Sequence, residues 1–510
     1  MLLPSRELYK LINSALGRWM SWAFAGTTRA KGWWIYPILF FVLGCLIPGF
    51  AFASGTPSEV VHRFVTKHPE AHVGVLAFDL DGSRFLVAHN PKDVFVPASV
   101  AKVFVTSALL STLGTNYRFV TRVLTNGSLE IERGVLHGGL ILKGSGYPGL
   151  DDKDIRALAG ALVRARGIHK IEGGVGVDTS LFVPPERHFY ADADVFGDDW
   201  AHTSGAMAYM GVVSPLSLQY NNVEVRVRGA SKVGRPALVE VDPDLPVTNR
   251  TRTVSGKRAR VYATLTDQGM VSVSGSIGPR RTRVLYKQVK SPEQLAGLVF
   301  KRALEKAGAS IQKDAIQVHE DPIQGAAEIA SVSSGPLPEV LYPMNAYSNN
   351  TMAEGFLLAF GAISTQHKGD HASGIQALSR FLEQTVRIPK TQAELFDAAG
   401  LSKNNRVSPF AMIKLLHYMH ASPNRFEALK ASLAVPGRPG TLSRRFAGNP
   451  LRQTIRAKTG TLDRVSTLAG YLVSAKGNTV AFCVFVNHMG ETHEAKRFED
   501  ELIEALAENG

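Results

Sequence analysis

The chain has 510 residues, of which 45% are hydrophobic and 20% charged, and its formal net charge is +13. This length exceeds a single ordinary core, and the balanced composition excludes a low-complexity or disordered chain. Nucleic acid is a common partner of basic proteins, but the positive charge here is scattered and no nucleic-acid-binding motif is present. The charge favours an anionic envelope polymer as a partner, and peripheral membrane contact is a further expectation.

The N-terminal 53 residues have the pattern of an export signal. Residues 33–53 are apolar, Arg29 and Lys31 precede them, and Ala51-Phe52-Ala53 ends the run. A charged region, an apolar region and a small-x-small site are typical of a cleaved signal peptide. An uncleaved anchor is the alternative, because about 20 apolar residues can span a bilayer. We therefore expect residues 1–53 to be a signal peptide and the mature chain to be exported, to the periplasm or cell envelope.

Cysteine and histidine usage predicts no metal, cofactor or disulfide. The chain contains two cysteines, Cys45 and Cys483. Removal of the signal leaves Cys483 alone in an apolar strand-like run, where a core position is expected. The histidines show no metal-binding spacing such as HExxH. The protein is therefore expected to rely on its own side chains for any chemistry.

Along the chain, the residue pattern predicts a mixed α/β protein. Alternation predicts strands, and apolar residues three and four apart predict helices. Strands are predicted over 72–79, 83–88, 119–142, 223–289, 466–473 and 479–486, and helices over 151–166, 291–307, 350–360, 374–385, 408–420 and 494–508, with a further helix from about 99. We infer one α/β catalytic domain, residues 54–125 and 326–510, split by a mainly β insertion, residues 126–325.

The tetrad Ser99-Val100-Ala101-Lys102 is the first candidate for chemistry. Residues i and i+3 share one face of a helix, so Lys102 is expected beside the Ser99 hydroxyl. A serine needs a nearby base, and burial among apolar neighbours would lower the pKa of Lys102 and make it that base. Alone, the tetrad favours a helix-capping serine followed by a snorkelling lysine, because a serine and a lysine recur at this spacing by chance.

Two further motifs change that interpretation. Ser348-Asn349-Asn350 precedes an apolar helical run, and Lys458-Thr459-Gly460 precedes two apolar strand-like runs. Ser-x-x-Lys, Ser-x-Asn and Lys-Thr-Gly in this order are the signature of class A β-lactamases and penicillin-binding proteins. A second register is open for the middle motif, because Tyr347-Ser348-Asn349 also reads as Tyr-x-Asn; the following Ala353-Glu354 favours Ser348 and Asn350.

With these motifs, the chain resembles the low-molecular-mass class C penicillin-binding proteins, the D-alanyl-D-alanine carboxypeptidase/endopeptidase family of the penicillin-binding protein 4 type. The long interval between Ser99 and Ser348 resembles that family's insertion. Two departures are Asp397-Ala398-Ala399-Gly400, where the family commonly has a Gly-Ser pair before the glycine, and Ala346 in place of a lysine. Further matching stretches are residues 136–144, 171–182, 214–218, 400–409 and 437–442.

The resemblance implies a β-lactamase/transpeptidase-like catalytic domain and acyl transfer through a serine ester. Peptidoglycan stem peptides and β-lactam antibiotics are the partners it implies. The catalytic residues it implies are Ser99, Lys102, Ser348, Asn350 and Lys458, and the substrate-binding residues are Thr459, Gly460, Asp178, Phe182 and Lys403. The last three match a pocket for the diamino acid of the stem peptide, although a structural role for them is equally open. A β-lactamase and a non-catalytic peptidoglycan-binding protein of the same fold are the alternatives.

Overall fold

The computed structural model describes residues 55–130, 133–184, 212–257 and 259–510. The expected signal peptide, residues 1–53, lies outside the described residues. Within these four ranges, no helix has both the length and the apolar character needed to cross a membrane.

Ten α-helices occur in the described residues. Most begin at a proline or directly after a capping side chain, as helix N-termini do. They are α1 (Pro57–Lys67), α2 (Lys102–Thr112), α3 (Asp152–Gly160), α4 (Pro292–Ala307), α5 (Leu337–Ala346), α6 (Asn350–Thr365), α7 (His371–Arg380), α8 (Pro409–His420), α9 (Pro423–Ser432) and α10 (Thr492–Asn509). The predicted helices are all present, whereas α1, α5 and α9 were not predicted.

The strands fill each of the predicted ranges and also occur over 147–218 and 310–462, where none was predicted. They are β1 (His72–Asp79), β2 (Arg84–His89), β3 (Val120–Thr125), β4 (Ser128–Glu130), β5 (Val135–His137), β6 (Leu140–Lys143), β7 (Tyr147–Leu150), β8 (Lys170–Ile171), β9 (Val175–Asp178), β10 (Leu216–Leu218), β11 (Asn222–Arg228), β12 (Leu238–Asp242), β13 (Val247–Thr253), β14 (Ala259–Leu265), β15 (Val271–Ile277), β16 (Thr282–Gln288), β17 (Ser310–Ile311), β18 (Gln317–His319), β19 (Ala327–Ser333), β20 (Ala393–Glu394), β21 (Arg406–Val407), β22 (Arg456–Leu462), β23 (Val465–Val473) and β24 (Thr479–Asn487).

The catalytic part is built on an antiparallel sheet of order β2-β1-β24-β23-β22. Strands β23 and β24 are buried along almost their whole length because helices cover both faces. On one face α1 and α10 pack together, with the rings of Phe64 and Phe498 stacked. The other face joins a core that includes α2, α6 and α8, and the free thiol of Cys483 lies in it as predicted. Strand β22 is left at the edge of the sheet.

The insertion has its own hydrophobic core and is mainly β, as predicted. Its largest sheet has the order β18-β9-β6-β3-β19, and α3 and α4 pack within the same core. Because β19 pairs with β3, the segment by which the chain enters the insertion lies beside the segment by which it leaves. The paired strands extend from Val120 to Ser333, a few residues outside the predicted limits of 126 and 325. The division into domains stays a prediction.

Candidate active site

Ser99 lies in a tight helical turn, Ala98–Ala101, that leads into α2. Ala98 has a left-handed φ of 47°, which is costly for a residue with a Cβ. The turn is held from the sheet, because the Thr467 hydroxyl donates to the Pro97 carbonyl at 2.8 Å. The hydroxyl of Ser99 is thus presented on a strained and supported turn, while Lys102, at the start of α2, is completely buried.

The amine of Lys102 has three oxygen neighbours. Its Nζ lies 2.9 Å from Ser99 Oγ, 2.8 Å from Asn350 Oδ1 and 2.5 Å from the Ala399 carbonyl. A neutral amine has two N–H donors and one lone pair. The Ser99 hydroxyl donates to the Ala399 carbonyl at 3.3 Å. When the amine is neutral, the acceptors of Asn350 and Ala399 can take its two N–H groups, so that its lone pair is available for the proton of the Ser99 hydroxyl. The geometry suits proton abstraction from Ser99.

Burial lowers the pKa of Lys102 to about 7, against the opposing charges of Asp397 and Glu354, which raise it. At neutral pH a large share of the Lys102 side chains is therefore unprotonated. An ordinary lysine, with its pKa above 10, would be almost entirely ammonium at this pH and could not act as a base. The expectation that burial makes Lys102 a base thus has a physical cause in the structure.

Asp397 organises the loop that faces Lys102. Its carboxylate accepts from the consecutive backbone N–H groups of residues 400–402, each at 2.8 Å, and from Asn405 Nδ2 at 2.7 Å. Gly400 has a φ of 78°, and a Cβ there would collide with the Ala98 carbonyl. The loop can therefore lie against the Ser99 turn only with glycine at this position.

Glu354 fixes the same loop from α6. Its Oε1 accepts from the backbone N–H of Ala398 at 3.0 Å and of Ala399 at 2.7 Å. Burial, together with the nearby Asp397, raises the pKa of Glu354 to about 8. Held in this way, Ala399 directs its carbonyl at Lys102. Sequence reasoning used Glu354 only to choose a motif register, and assigned Asp397 no role.

A second serine–lysine pair lies across the site. Lys458 Nζ is 2.9 Å from Ser348 Oγ and 2.6 Å from the Thr459 carbonyl. Lys458 is completely buried, and burial together with the nearby Lys102 holds its pKa well below the ordinary lysine value. Ser348 has a left-handed φ of 63°, so its hydroxyl also sits on a strained backbone. The site therefore contains two serines, each with its own lysine.

Asn349 and Asn350 of the middle motif have different partners. Asn349 caps α6, since its Oδ1 accepts from the Met352 N–H at 3.0 Å. Asn350, the first residue of the helix, is free to bind Lys102. Tyr347 is 47% exposed. The geometry therefore brings Ser348 and Asn350, and not Tyr347 and Asn349, to the two lysines.

Gly460 lies on the edge strand β22 beside the Ser99 turn. A Cβ at this position would collide with the Thr467 hydroxyl and lie 3.0 Å from Ala98 Cβ. Glycine is therefore needed here for the close approach of the Ser99 turn, and the expected role of Gly460 in substrate binding stays a prediction. Thr459 next to it is partly exposed.

The three predicted pocket residues have different surroundings. Asp178 is almost completely buried, 3.2 Å from Lys143 Nζ, and accepts from the Ser180 N–H at 2.9 Å. Phe182 is part of the catalytic core. Lys403 is exposed on the turn that follows the Asp397 loop. In the four described ranges, no hydrogen bond or ion pair joins these three to the motif residues.

The chain is similar to known proteins over nearly all of its described length. A family model described as "D-Ala-D-Ala carboxypeptidase 3 (S13) family" matches residues 59–509. The chain is 26% identical over 456 residues to D-alanyl-D-alanine carboxypeptidase DacB of Haemophilus influenzae, covering 87% of this chain and 92% of that protein. It is 28% identical over 508 residues to a D-alanyl-D-alanine carboxypeptidase of Actinomadura sp. (strain R39), covering 95% and 91%.

Among solved structures, penicillin binding protein 4 from Haemophilus influenzae superimposes with a TM-score of 0.68 at 25% identity, covering 88% of this chain and 99% of that one. This likeness confirms the predicted fold class, a β-lactamase/transpeptidase-like catalytic domain interrupted by an insertion. The family model spans nearly all the described residues, including the three motifs and the insertion between them. The chain therefore belongs to the D-Ala-D-Ala carboxypeptidase 3 (S13) family, as its motifs predicted.

Proposed function

We propose that this protein is a serine D-alanyl-D-alanine carboxypeptidase that acts on peptidoglycan stem peptides and is acylated by penicillin. The observation that carries the proposal is the 2.9 Å contact between Lys102 Nζ and Ser99 Oγ, with the other two neighbours of that amine being acceptors only. Family membership favours a carboxypeptidase over a β-lactamase of the same fold.

In the first half of the proposed reaction, Ser99 attacks the carbonyl carbon of the D-Ala-D-Ala bond while Lys102 takes the hydroxyl proton. The oxyanion would be held by the backbone N–H of Ser99 and an N–H of β22 after Gly460. Asn350 would orient the substrate amide. Because Ala399 and Asn350 hold the amine in place, no reorganisation is needed at the moment of proton transfer.

In the second half, the C–N bond breaks and the proton that Lys102 took from Ser99 passes through Ser348, which Lys458 contacts, to the leaving amine of D-alanine. Lys102 is then neutral again. The partly exposed Thr459 would donate its hydroxyl to the terminal carboxylate of the substrate, and Lys458 would add an opposite charge in its protonated form, since a cation and a hydroxyl donor both suit an anion. Water then hydrolyses the Ser99 ester and releases the shortened peptide.

The direct test is release of free D-alanine from a soluble stem pentapeptide ending in D-Ala-D-Ala, measured beside hydrolysis of penicillin. We expect stoichiometric D-alanine release and a long-lived penicillin adduct. Rapid penicillin turnover without D-alanine release would instead identify a β-lactamase. Stable binding of the pentapeptide with neither reaction would identify a non-catalytic binding protein.

We propose that Asp178, Phe182 and Lys403 contribute to a pocket for the diamino acid of the stem peptide. Asp178→Asn should lower turnover of a diamino-acid stem peptide about tenfold, because a charge-assisted contact is worth roughly 1.5–3 kcal/mol. Asparagine can still accept from the Ser180 N–H, so the local turn is kept. Penicillin acylation should be unchanged, since penicillin has no such ammonium; an equal loss for both would mean that Asp178 only neutralises Lys143.

We propose that the chain is exported and cleaved after Ala53. N-terminal sequencing of the exported protein should then begin at Ser54. Ala53→Arg should block cleavage, because the site requires small side chains, whereas Ala53→Ser should be processed normally. An exported protein that keeps residues upstream of Trp33 would contradict cleavage and support an anchor.

A further inference from the structure

In the insertion, the three-stranded sheet of order β13-β15-β14 packs one face on the insertion's own hydrophobic core and exposes the other face to solvent. In β14 and β15, Val261, Ala263, Val271 and Val273 point inward and are buried. The outward residues form two adjacent rows of cross-strand neighbours. We call these six residues the arginine face: Arg250, Ser274 and Tyr262 in one row, and Arg252, Ser276 and Arg260 in the next.

Within the part of the chain that the structure describes, no carboxylate pairs with the arginines of the arginine face. None of its three strands contains an aspartate or glutamate. Among the described residues, Arg250, Arg252 and Arg260 form no ion pair. The neighbouring sheet β12-β11-β16 is different, since Arg226 there lies 2.7 Å from Glu224. That sheet also carries Glu240 and Asp242 on its own strands, although Arg228 and Arg283 there form no ion pair among the described residues either. The arginine face is therefore distinguished by having no carboxylate on any of its strands.

The aromatic residue on this face is equally unusual. Tyr262 is 66% exposed, the largest exposed fraction among the large hydrophobic side chains described. It lies beside Ser274 of β15 and two residues along β14 from Arg260. A ring with one apolar face in water, next to hydroxyl groups, suits stacking on a sugar ring whose hydroxyls need partners.

We propose that the arginine face is a docking surface for peptidoglycan, separate from the catalytic site. This inference rests on the proposed function, because a polymer that the enzyme processes carries both sugar rings and stem-peptide carboxylates. Guanidinium groups bind carboxylates in a bidentate manner, and neighbours on one strand are about 7 Å apart, so adjacent carboxylates can be held together. Tyr262, on the opposite edge strand β14, packs on a sugar ring of the same polymer.

An anionic bilayer is the competing occupant. Surfaces that bind bilayers combine basic residues with apolar side chains that enter the headgroup region. The arginine face is a flat sheet surface with hydroxyl groups between its cations and one aromatic ring. The described chemistry therefore favours a hydroxylated, carboxylate-bearing polymer over a lipid surface.

The test compares Arg250→Gln/Arg252→Gln/Arg260→Gln with a control triple, Lys153→Gln/Arg166→Gln/Lys313→Gln, which removes the same charge from exposed sites elsewhere in the insertion. Both are made in the full chain with Ser99→Ala, so that no bond is cleaved, and thermal melting checks the fold. The probes are purified sacculi, sacculi whose carboxylates have been amidated, and phosphatidylglycerol vesicles, each sedimented with the protein.

At low salt, the arginine triple should bind sacculi about tenfold more weakly, roughly 1.4 kcal/mol shared by three exposed side chains, while the control triple changes little. Amidation should reduce binding of the parent to the level of the arginine triple. Tyr262→Ser should weaken binding even at salt that screens the arginines.

Three results would overturn the proposal: equal loss in both triples, binding that amidation leaves unchanged, or loss of vesicle binding with sacculus binding intact. None of these depends on chemistry at Ser99. Failure of the proposed function would appear separately, as a wild-type chain that neither releases D-alanine nor retains penicillin.

Discussion

Ser99→Ala is expected to abolish covalent labelling by a fluorescent penicillin. In the Ser99 pair, the Lys102 amine has two acceptors besides its serine, one for each N–H of a neutral amine, whereas the described contacts of Lys458 include one, the Thr459 carbonyl. Without the Ser99 hydroxyl there is no nucleophile beside that amine. The measurement is gel fluorescence of the purified protein, followed by mass spectrometry of the labelled peptide from the wild type.

Two control variants sharpen this test. Ser107→Ala removes a buried hydroxyl further along α2 and should label normally. Ser348→Ala should still form the adduct, more slowly, because Ser348 is proposed to protonate the leaving group and not to attack. Labelling that persists in Ser99→Ala but disappears in Ser348→Ala would assign the nucleophile to the second pair.

Lys102→Met is expected to slow acylation by about 10²–10⁴-fold, the usual cost of losing a general base. Methionine approximates the length of lysine and leaves no amine within reach of Ser99. Lys301→Met, which removes another largely buried lysine in the insertion, is the matched control and should acylate normally. Near-normal acylation in Lys102→Met would contradict the assignment.

The pH profile separates a base from a structural lysine. Because the pKa of Lys102 is about 7, the wild-type acylation rate should fall as the pH drops below that value, about tenfold per unit, as the amine becomes ammonium. Above it the rate should level off with respect to this group. The residual rate of Lys102→Met should lack this limb, whereas a lysine that only supports the fold would leave the limb in place.

Several features of this protein were determined by local sequence. The i, i+3 spacing of Ser99 and Lys102 places their side chains together on any helical backbone, so the first pair was predictable. Burial of Lys102 followed from the apolar residues around it. Helix α1 was also predictable, because Thr56 and Glu59 form a capping box, but the spacing was not used.

The loop that positions Lys102 and the ion pair of Asp178 depend on contacts between distant parts of the chain. Glu354 on α6 and Asp397 in its loop meet only in the folded protein, where together they hold the Ala399 carbonyl against Lys102. The partner of Asp178 followed from strand register, since β6 pairs with β9 and brings Lys143 beside it. No periodicity along the sequence encodes which strands become neighbours.

In the second serine–lysine pair, too, the sequence identified the residues and the tertiary structure determined their contact. Sequence order identified Ser348 and Lys458, but their 2.9 Å contact arises because the turn before α6 meets the edge strand β22. The arginine face likewise needed the register of three strands to align residues from 250 to 276. The sequence by itself determines the residue types and their local spacing. Relative position, burial and charge balance depend on tertiary packing, because packing brings together groups that are far apart in the sequence.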